Sequence, residues 1–321
     1  MNYLISEITM TEEKAEHIPV MLNEVIQFLN LKPGDIVVDA TIGVGGHGER
    51  ILEEILPGGK LIGIDWDEDS LLLADKRLTR FKGHYYLFHE NFVNIDKVLE
   101  TLNIKKVDGI VFDLGISSYQ LESKRGFSFK HDAYLDMRMN SKESLTAYDI
   151  VNYYPLEEIS SIIKNYGEER YHRRIAEEII KARKVNKIET TRQLVDIILR
   201  AVPYSYLKQK IHPATRTFQA LRIAVNRELE NIEKAIDKAI EILLPEGRLV
   251  VISFHSLEDR IVKRKFRLLQ RNNRADIITP RPIRPTEFEI QINPRARSAK
   301  LRCIQKRNNH KKNLLLKIFL L

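Results

Sequence analysis

Residues 37–48 read VVDATIGVGGHG: an apolar β-branched run, a carboxylate, then four glycines in six positions, Gly43, Gly45, Gly46 and Gly48. The run IVVDA (36–40) is a strand candidate, and GERILEEIL (48–56) spaces its apolar residues as a helix does. A strand that passes through a glycine loop straight into a helix belongs to a parallel α/β sheet, where the loop borders the crevice outside the strand ends.

The same alternation continues. VMLNEVIQFLNL (20–31) reads as a helix ended by KPGD, LIGID (61–65) as a second strand and EDSLLLADKRLT (68–79) as a helix. HYYLFHENF (84–92) is a third strand with its exit loop, NIDKVLETLNI (94–104) a helix, and VDGIVFDLGISS (107–118) begins as a fourth strand. Strands alternating with helices predict a doubly wound parallel sheet. The alternation breaks off near residue 120, where SLTAYDIVNYY, LEEISSIIKNYG, EERYHRRIAEEIIKARK and TTRQLVDIILRAV follow as helices. It resumes with 218–243 as one long helix and LPEGRLVVISFHS (244–256) as a turn and a fifth strand. The expected organisation is a discontinuous α/β domain, 1–120 and 215–321, with a helical insertion over 121–214.

The acids around the loop narrow the ligand. Bare amides at a helix start suit an anion, and GVGGHG fits the dinucleotide pattern G-x-G-x-x-G. Yet Asp39 precedes the glycines, and a carboxylate there repels phosphate and favours a cationic group such as an ammonium or sulfonium. Asp65 ends the second strand, where a carboxylate accepts hydrogen bonds from ribose hydroxyls. Phe92 ends the third strand, placed to cover a flat base, and Asp113 ends the fourth. Taken singly, each Asp also reads as a helix cap or turn residue, and Phe92 as core. Three carboxylates at three strand ends argue for S-adenosylmethionine, which offers adenine, a diol, an ammonium and a sulfonium but no phosphate.

Charge is unevenly spread over the 321 residues. From Arg260 to the end, 18 Lys and Arg face 3 Asp and Glu, a balance of +15; the overall +8 therefore leaves −7 for the first 259 residues. A basic third, with arginines among prolines in TPRPIRPTEFEIQINPRARSAKLR (279–302), points to a polyanionic partner as readily as to a solvated surface. One cysteine, Cys303, excludes an internal disulfide and a multi-cysteine zinc site. The acidic start MNYLISEITMTEEKAEH is no secretory signal, and no apolar run approaches the ~20 residues that span a bilayer. A cytoplasmic location is expected. The tail NLLLKIFLL (313–321) reads as an edge strand or a partner surface.

HIPVMLNEV, DATIGVGGHG, DGIVFDLGISSYQL, RGFSF, LDMRM, YGEER, HPATRTFQALRIAVNREL, SFHSLEDRIVK and NPRARSAKLR occur in this order between about residues 17 and 302. Together they resemble the small-subunit (16S) ribosomal RNA cytosine-N4 methyltransferase family, also called MraW or RsmH. The resemblance implies a Rossmann-like S-adenosylmethionine-dependent methyltransferase domain carrying an inserted helical, substrate-recognition domain. It implies methyl transfer to the exocyclic N4 of one cytidine in the decoding region, with 16S rRNA or the small ribosomal subunit as partner and neither metal nor membrane involved. The oligomeric state is left open, a homodimer among the allowed states. Family cofactor contacts fall on Gly45, Gly46, His47, Asp65, Phe92, Asp113 and Gln120, to which the residue-level reading adds Asp39 and Gly43. Tyr119 stands where the family usually has proline, which leaves the loop placing Gln120 less rigid.

The cytosine amine is a weak nucleophile because its lone pair is delocalised into the ring. An acceptor for its N–H, and alignment with the donor methyl group, are what a protein can add. DNA amino-methyltransferases use a (D/N/S)-P-P-(Y/F) run after the fourth strand; DLGISS stands here instead. Asp113 or a backbone carbonyl of that loop is the expected acceptor, with Ser117 and Ser118 as lesser candidates. His255 and His212 are each balanced between contact with the nucleotide and a loop hydrogen bond. Phe127 and Phe129 are candidates to stack on a flipped-out base, or core residues. Arg125, Arg138, Arg216, Arg295 and Arg297 are candidate phosphate contacts. An NAD-dependent oxidoreductase and a non-catalytic RNA-binding factor are the alternatives; Asp39 weighs against the first and the acidic crevice against the second.

Overall fold

The computed structural model describes residues 18–308. The amino-terminal stretch and NLLLKIFLL fall outside the described residues, so the readings made of them are not addressed. Seven strands form one sheet: β1 (Ile36–Asp39), β2 (Lys60–Asp65), β3 (Tyr85–His89), β4 (Val107–Asp113), β5 (Leu243–Ser253), β6 (Ala275–Ile277) and β7 (Lys300–Lys306). Their order is β3-β2-β1-β4-β5-β7-β6, parallel except for β7, which runs antiparallel to both neighbours. The order reverses between β1 and β4, and that switch point is where such sheets bind ligands. Asp39, Asp65 and Asp113 end the three adjacent strands β1, β2 and β4 around it.

Alternation along the strands feeds two cores. Val38, Ile62, Ile64, Ile110, Phe112 and Val251 face one side, with α4 (Ile95–Thr101), α12 (Glu228–Ile242) and α13 (Ser256–Arg271). Val37, Leu61, Val111, Val250 and Ile252 face the other, with α1 (Leu22–Leu29), α2 (Gly46–Ile55) and α3 (Glu68–Leu78). A third core, running from Phe127 to Val225, joins α6 (Ala147–Tyr153), α7 (Leu156–Gly167), α8 (His172–Val185), α9 (Thr191–Ala201) and α11 (Ala214–Asn226) into a helical body. The short helices α5 (Ser118–Glu122), α10 (Tyr204–Leu207) and α14 (Glu287–Ile292) complete the α-helices among the described residues.

Three expectations need correction. The long helix read over 218–243 is two, α11 and α12, because Arg227 adopts a left-handed conformation, φ 51°. Asn226 holds that break: its side chain donates to the Met137 carbonyl and accepts the Met139 amide, each at 2.8 Å. α11 thus packs in the helical body and α12 against the sheet, a change of partner that a helical period cannot reveal. The arginine-rich stretch ending at Arg302 is not all open surface, for it runs into β7, where Leu301 and Cys303 are fully buried. Arg302 itself is 6% exposed and its Nε donates to Asp259 at 2.7 Å. Phe92 does not end β3 but opens a single 3₁₀ turn, Phe92–Asn94, after it.

Candidate active site

A cleft of about 1190 Å³, counted to its open mouth, lies over the strand ends at the switch point. Of the residues expected at the site, Gly43, Gly46, His47, Asp65, Phe92, Asp113, Ser117, Ser118, Gln120 and Arg295 line it. Asp39, Gly45 and His255 do not reach its wall, nor do Arg125, Phe127, Arg138, Arg216 and Arg297.

The glycine loop is held by the protein more than it is left open for a ligand. Gly45 takes φ +84°, which a side chain would strain, at the N-cap of α2. A Cβ on Gly48 would stand 2.4 Å from Ile42 Cδ1 and 3.0 Å from Leu61 Cδ2, so this glycine lets α2 sit on β2. Gly48→Ala is therefore expected to lower unfolding free energy by about 1–3 kcal/mol through overpacking, read from urea midpoints of the ligand-free protein. Unchanged midpoints would return this glycine to a role at the ligand alone. Gly43 donates its amide to Asp65 Oδ2 at 2.8 Å, and His47 is 6% exposed with Nε2 3.0 Å from the Val20 carbonyl oxygen.

The three strand-end carboxylates share one low-dielectric region with too little positive charge. Asp39 is 1% exposed; Oδ1 accepts the Thr41 amide at 3.2 Å and Oδ2 is buried without a partner. Burial first, and the charge of Asp65 besides, push its carboxyl up to about 7. Asp65 accepts the amides of Gly43 and Asp67, but burial still raises it to about 6. Asp113 Oδ1 is likewise buried and unpartnered, Oδ2 lies 3.8 Å from His47 Nδ1, and its amide donates to Thr41 Oγ1 at 2.6 Å. Burial, then repulsion from Asp39 and Glu258, holds Asp113 well above the carboxylate range. Such a group of carboxylates accepts a cation and rejects a phosphate.

Beside it sits a network the sequence did not announce. Asp67, 1% exposed, caps α3 through Oδ1, while Oδ2 accepts Gln120 Nε2 at 2.9 Å and pairs with Arg125. Gln120 also closes a capping box with Ser117 at the start of α5. Gln120 thus reaches the cleft as a tied side chain, and Ser117 Oγ already accepts the Gln120 amide at 3.1 Å. Arg125 donates as well to the Met139 carbonyl at 3.1 Å, so it is a structural cation rather than a free phosphate contact.

The far wall includes Asn226, Glu228, Asn231, Phe254 and Glu258. His255 is the N-cap of α13: Nδ1 accepts the Glu258 amide at 3.4 Å, and Nε2 lies 3.1 Å from Glu258 Oε1. Its ring is thereby turned to the helix start and does not line the cleft, which favours the loop hydrogen bond of its two readings. Although fully buried, Glu258 stays below the usual carboxylate range because His255 and Arg222 stand beside it. Against the expected lack of a metal, Glu228, His255 and Glu258 do bring ligand atoms within 4.8 Å of one another. Both Glu228 oxygens, however, accept from Arg222 at 2.8 Å.

The other candidates are placed elsewhere. Phe127 is 6% exposed in the helical core, under the Arg125 guanidinium at 5.6 Å. Phe129 stacks on His212 at 4.7 Å and meets Phe218 edge-on, while His212 Nδ1 accepts the Ala214 amide. Neither aromatic is set to stack on a base in the cleft. Arg138 is bound on all sides, by Asp136 and by the carbonyls of Ser141 and Glu143. Arg216 is exposed and donates to the Glu168 carbonyl; Arg297 is exposed; Arg295 reaches both the cleft and Glu122, 3.2 Å away. Phe92 lines the cleft and packs edge-on against Phe112, with centroids 5.5 Å apart. Missed altogether was Trp66, the only tryptophan, which lines the cleft next to Asp65. A flat, polarisable ring directly after the strand-end acid was the available signal.

A model of the MraW methylase family matches residues 14–307. The Ribosomal RNA small subunit methyltransferase H of Sulfurihydrogenibium sp. (strain YO3AOP1) is 49% identical over 287 residues, 89% of this chain and 98% of its own. The protein of that name from Clostridium botulinum (strain Kyoto / Type A2) is 49% identical over 307 residues, covering 91% and 99%. That from Pelobacter propionicus is 47% identical over 308 residues, covering 91% and 98%.

Proposed function

This chain belongs to the MraW methylase family, and from that premise we propose that it transfers the methyl group of S-adenosylmethionine to the exocyclic N4 of a specific cytidine in the decoding region of small-subunit (16S) rRNA. The observation that carries the proposal is the pair of buried, unpartnered carboxylate oxygens, Asp39 Oδ2 and Asp113 Oδ1, at the strand ends under the cleft. Asp113 at the cleft wall and Asp39 behind it give the cleft a negative potential that favours an ammonium and a sulfonium and disfavours a phosphate-bearing cofactor. The relatives' printed name supports small-subunit rRNA as the substrate. The cytoplasm, where small subunits assemble, is the compartment this reading assigns; no helix among the described residues is long and apolar enough to cross a membrane.

When bound, S-adenosylmethionine supplies an already activated methyl group. Asp65, each of whose oxygens retains a lone pair after accepting one amide, holds a ribose diol. Trp66 and Phe92 offer apolar faces for the base of the donor. In its ionised form Asp113 accepts an N–H of the target amine at Oδ1, pulling the nitrogen toward tetrahedral geometry, and becomes a neutral carboxyl on taking the proton the amine releases. Thr41, through its bond to the Asp113 amide, holds the end of β4 in place. Gln120 and Asp67 fix the loop that carries Ser117 and Ser118 along the cleft wall. The helical body stands beside this opening as the substrate-recognition unit.

Incubation with methyl-tritiated S-adenosylmethionine and small ribosomal subunits, followed by nucleoside digestion, is expected to place the label in N4-methylcytidine. Label confined to another nucleoside would overturn the assigned position, and none at all would overturn the activity.

A further inference from the structure

Helix α13 carries more positive charge than its neighbours neutralise. Arg260 pairs with Glu168 at 2.8 Å, Arg264 with Glu233 at 3.2 Å and Lys265 with Asp237 at 2.7 Å. Lys263, Arg267 and Arg271 are exposed, and none has a carboxylate within ion-pair distance among the described residues. Positions 260, 263, 264, 267 and 271 recur at helical spacing, so the five cations share one face. They line a shallow depression of about 990 Å³ with Glu233, Lys265 and Leu268.

The direction of this face connects it to the active site. Glu258, in the first turn of α13, lines the cleft, as does Phe254 just before the helix. From Arg260 to Arg271 the row then recedes over about 16 Å at ~1.5 Å per residue. Its start is tied to the helical body, Ser256 Oγ donating to Glu168 Oε2 at 2.6 Å. An enzyme that acts on one base must take it out of the stack and hold the strand on either side.

We propose that the outer face of α13 binds the phosphate backbone of the RNA next to the target nucleotide, with Lys263, Arg267 and Arg271 as its unpaired contacts. The inference rests on the proposed function and extends it to a docking surface. RNA is the favoured occupant because the row is linear, cationic and almost without apolar anchors, Leu268 being its one large exposed hydrophobic residue.

The test is Lys263→Ala/Arg267→Ala/Arg271→Ala against a control of equal charge change on lysines of the α/β domain that are exposed and, among the described residues, unpaired, Lys76→Ala/Lys82→Ala/Lys97→Ala, using deproteinised small-subunit rRNA and a salt series. The α13 variant is expected to bind at least about tenfold more weakly at moderate salt. The slope of log K against log salt should fall in magnitude by about 2, three contacts at ~0.7 each for a single strand. Binding of S-adenosylhomocysteine and the melting temperature should match wild type, because these side chains are exposed. Equal losses in both variants, or none in the α13 variant, would overturn the surface while leaving the activity standing. A loss seen only with assembled subunits would assign the face to a ribosomal protein and overturn it too. Wild-type protein that binds neither deproteinised rRNA nor small subunits would overturn the functional reading itself.

Discussion

Asp113→Asn is expected to reduce methyl transfer by about 10²–10⁴-fold, the range for removing a positioned proton acceptor. The carboxamide keeps the shape of the side chain and can still accept one hydrogen bond, but it cannot hold the proton that the amine loses. Burial and the neighbouring charges of Asp39 and Glu258 work against an ionised Asp113, so exchanging it for an uncharged amide should not lower folding stability. Single-turnover methylation of small subunits, with S-adenosylhomocysteine affinity measured in parallel, reads the effect. Loss of turnover with affinity kept within about threefold supports the acceptor role. Near-normal turnover discards it, and a parallel collapse of affinity moves Asp113 to the cofactor side.

The second large effect concerns Asp39 and depends on pH. Its carboxyl is raised from 3.8 to about 7, chiefly by burial. The native state therefore holds this proton more tightly than the unfolded chain does. A penalty on folding is absent below about pH 4, grows as pH rises, and is complete above about pH 7. Asp39→Asn removes that penalty, so the ligand-free variant should melt higher than wild type at pH 8 and no higher near pH 4. Affinity should respond in the opposite way. A cationic donor favours the ionised carboxylate, so wild-type affinity for S-adenosylmethionine should increase between pH 5.5 and 7.5, up to about tenfold per unit for each proton released. Asp39→Asn should flatten this rise and weaken binding at pH 7.5 about tenfold or more. Calorimetry in two buffers of different ionisation enthalpy detects the released protons. Binding of equal strength at both pH values in wild type would remove the electrostatic account of the cleft. Since Asp39 does not reach the wall, its influence is through space, which a buried, low-dielectric position sustains.

The strands at the glycine loop were legible because period-2 apolar runs and turn residues are local signals. IVVDA, LIGID and VDGIVFD stand in the sheet within a residue or two of their expected ends. Asp65 and Asp113 were found for the same reason, since the residue that closes a parallel strand is bound to stand at the crevice. Charge and aromaticity proved poorer guides. Arg125 and Arg138 looked like phosphate contacts but answer the buried or half-buried carboxylates of Asp67 and Asp136. Conversely, the α13 cations gained interest only once their carboxylate partners, or the lack of them, could be seen.

By itself the amino-acid sequence determined the α/β class, the place of the ligand crevice and the family, because each depends on the order of short local patterns along the chain. Tertiary structure alone decided that the helix over 218–243 breaks at Arg227, that Lys300–Lys306 returns antiparallel into the sheet, and that His255 caps a helix. It also decided that Asp39 and Asp113 are buried without partners enough. The physical reason is common to all of these: burial, pairing and the pKa they produce belong to groups brought together from distant parts of the chain, and no local pattern records which groups will meet.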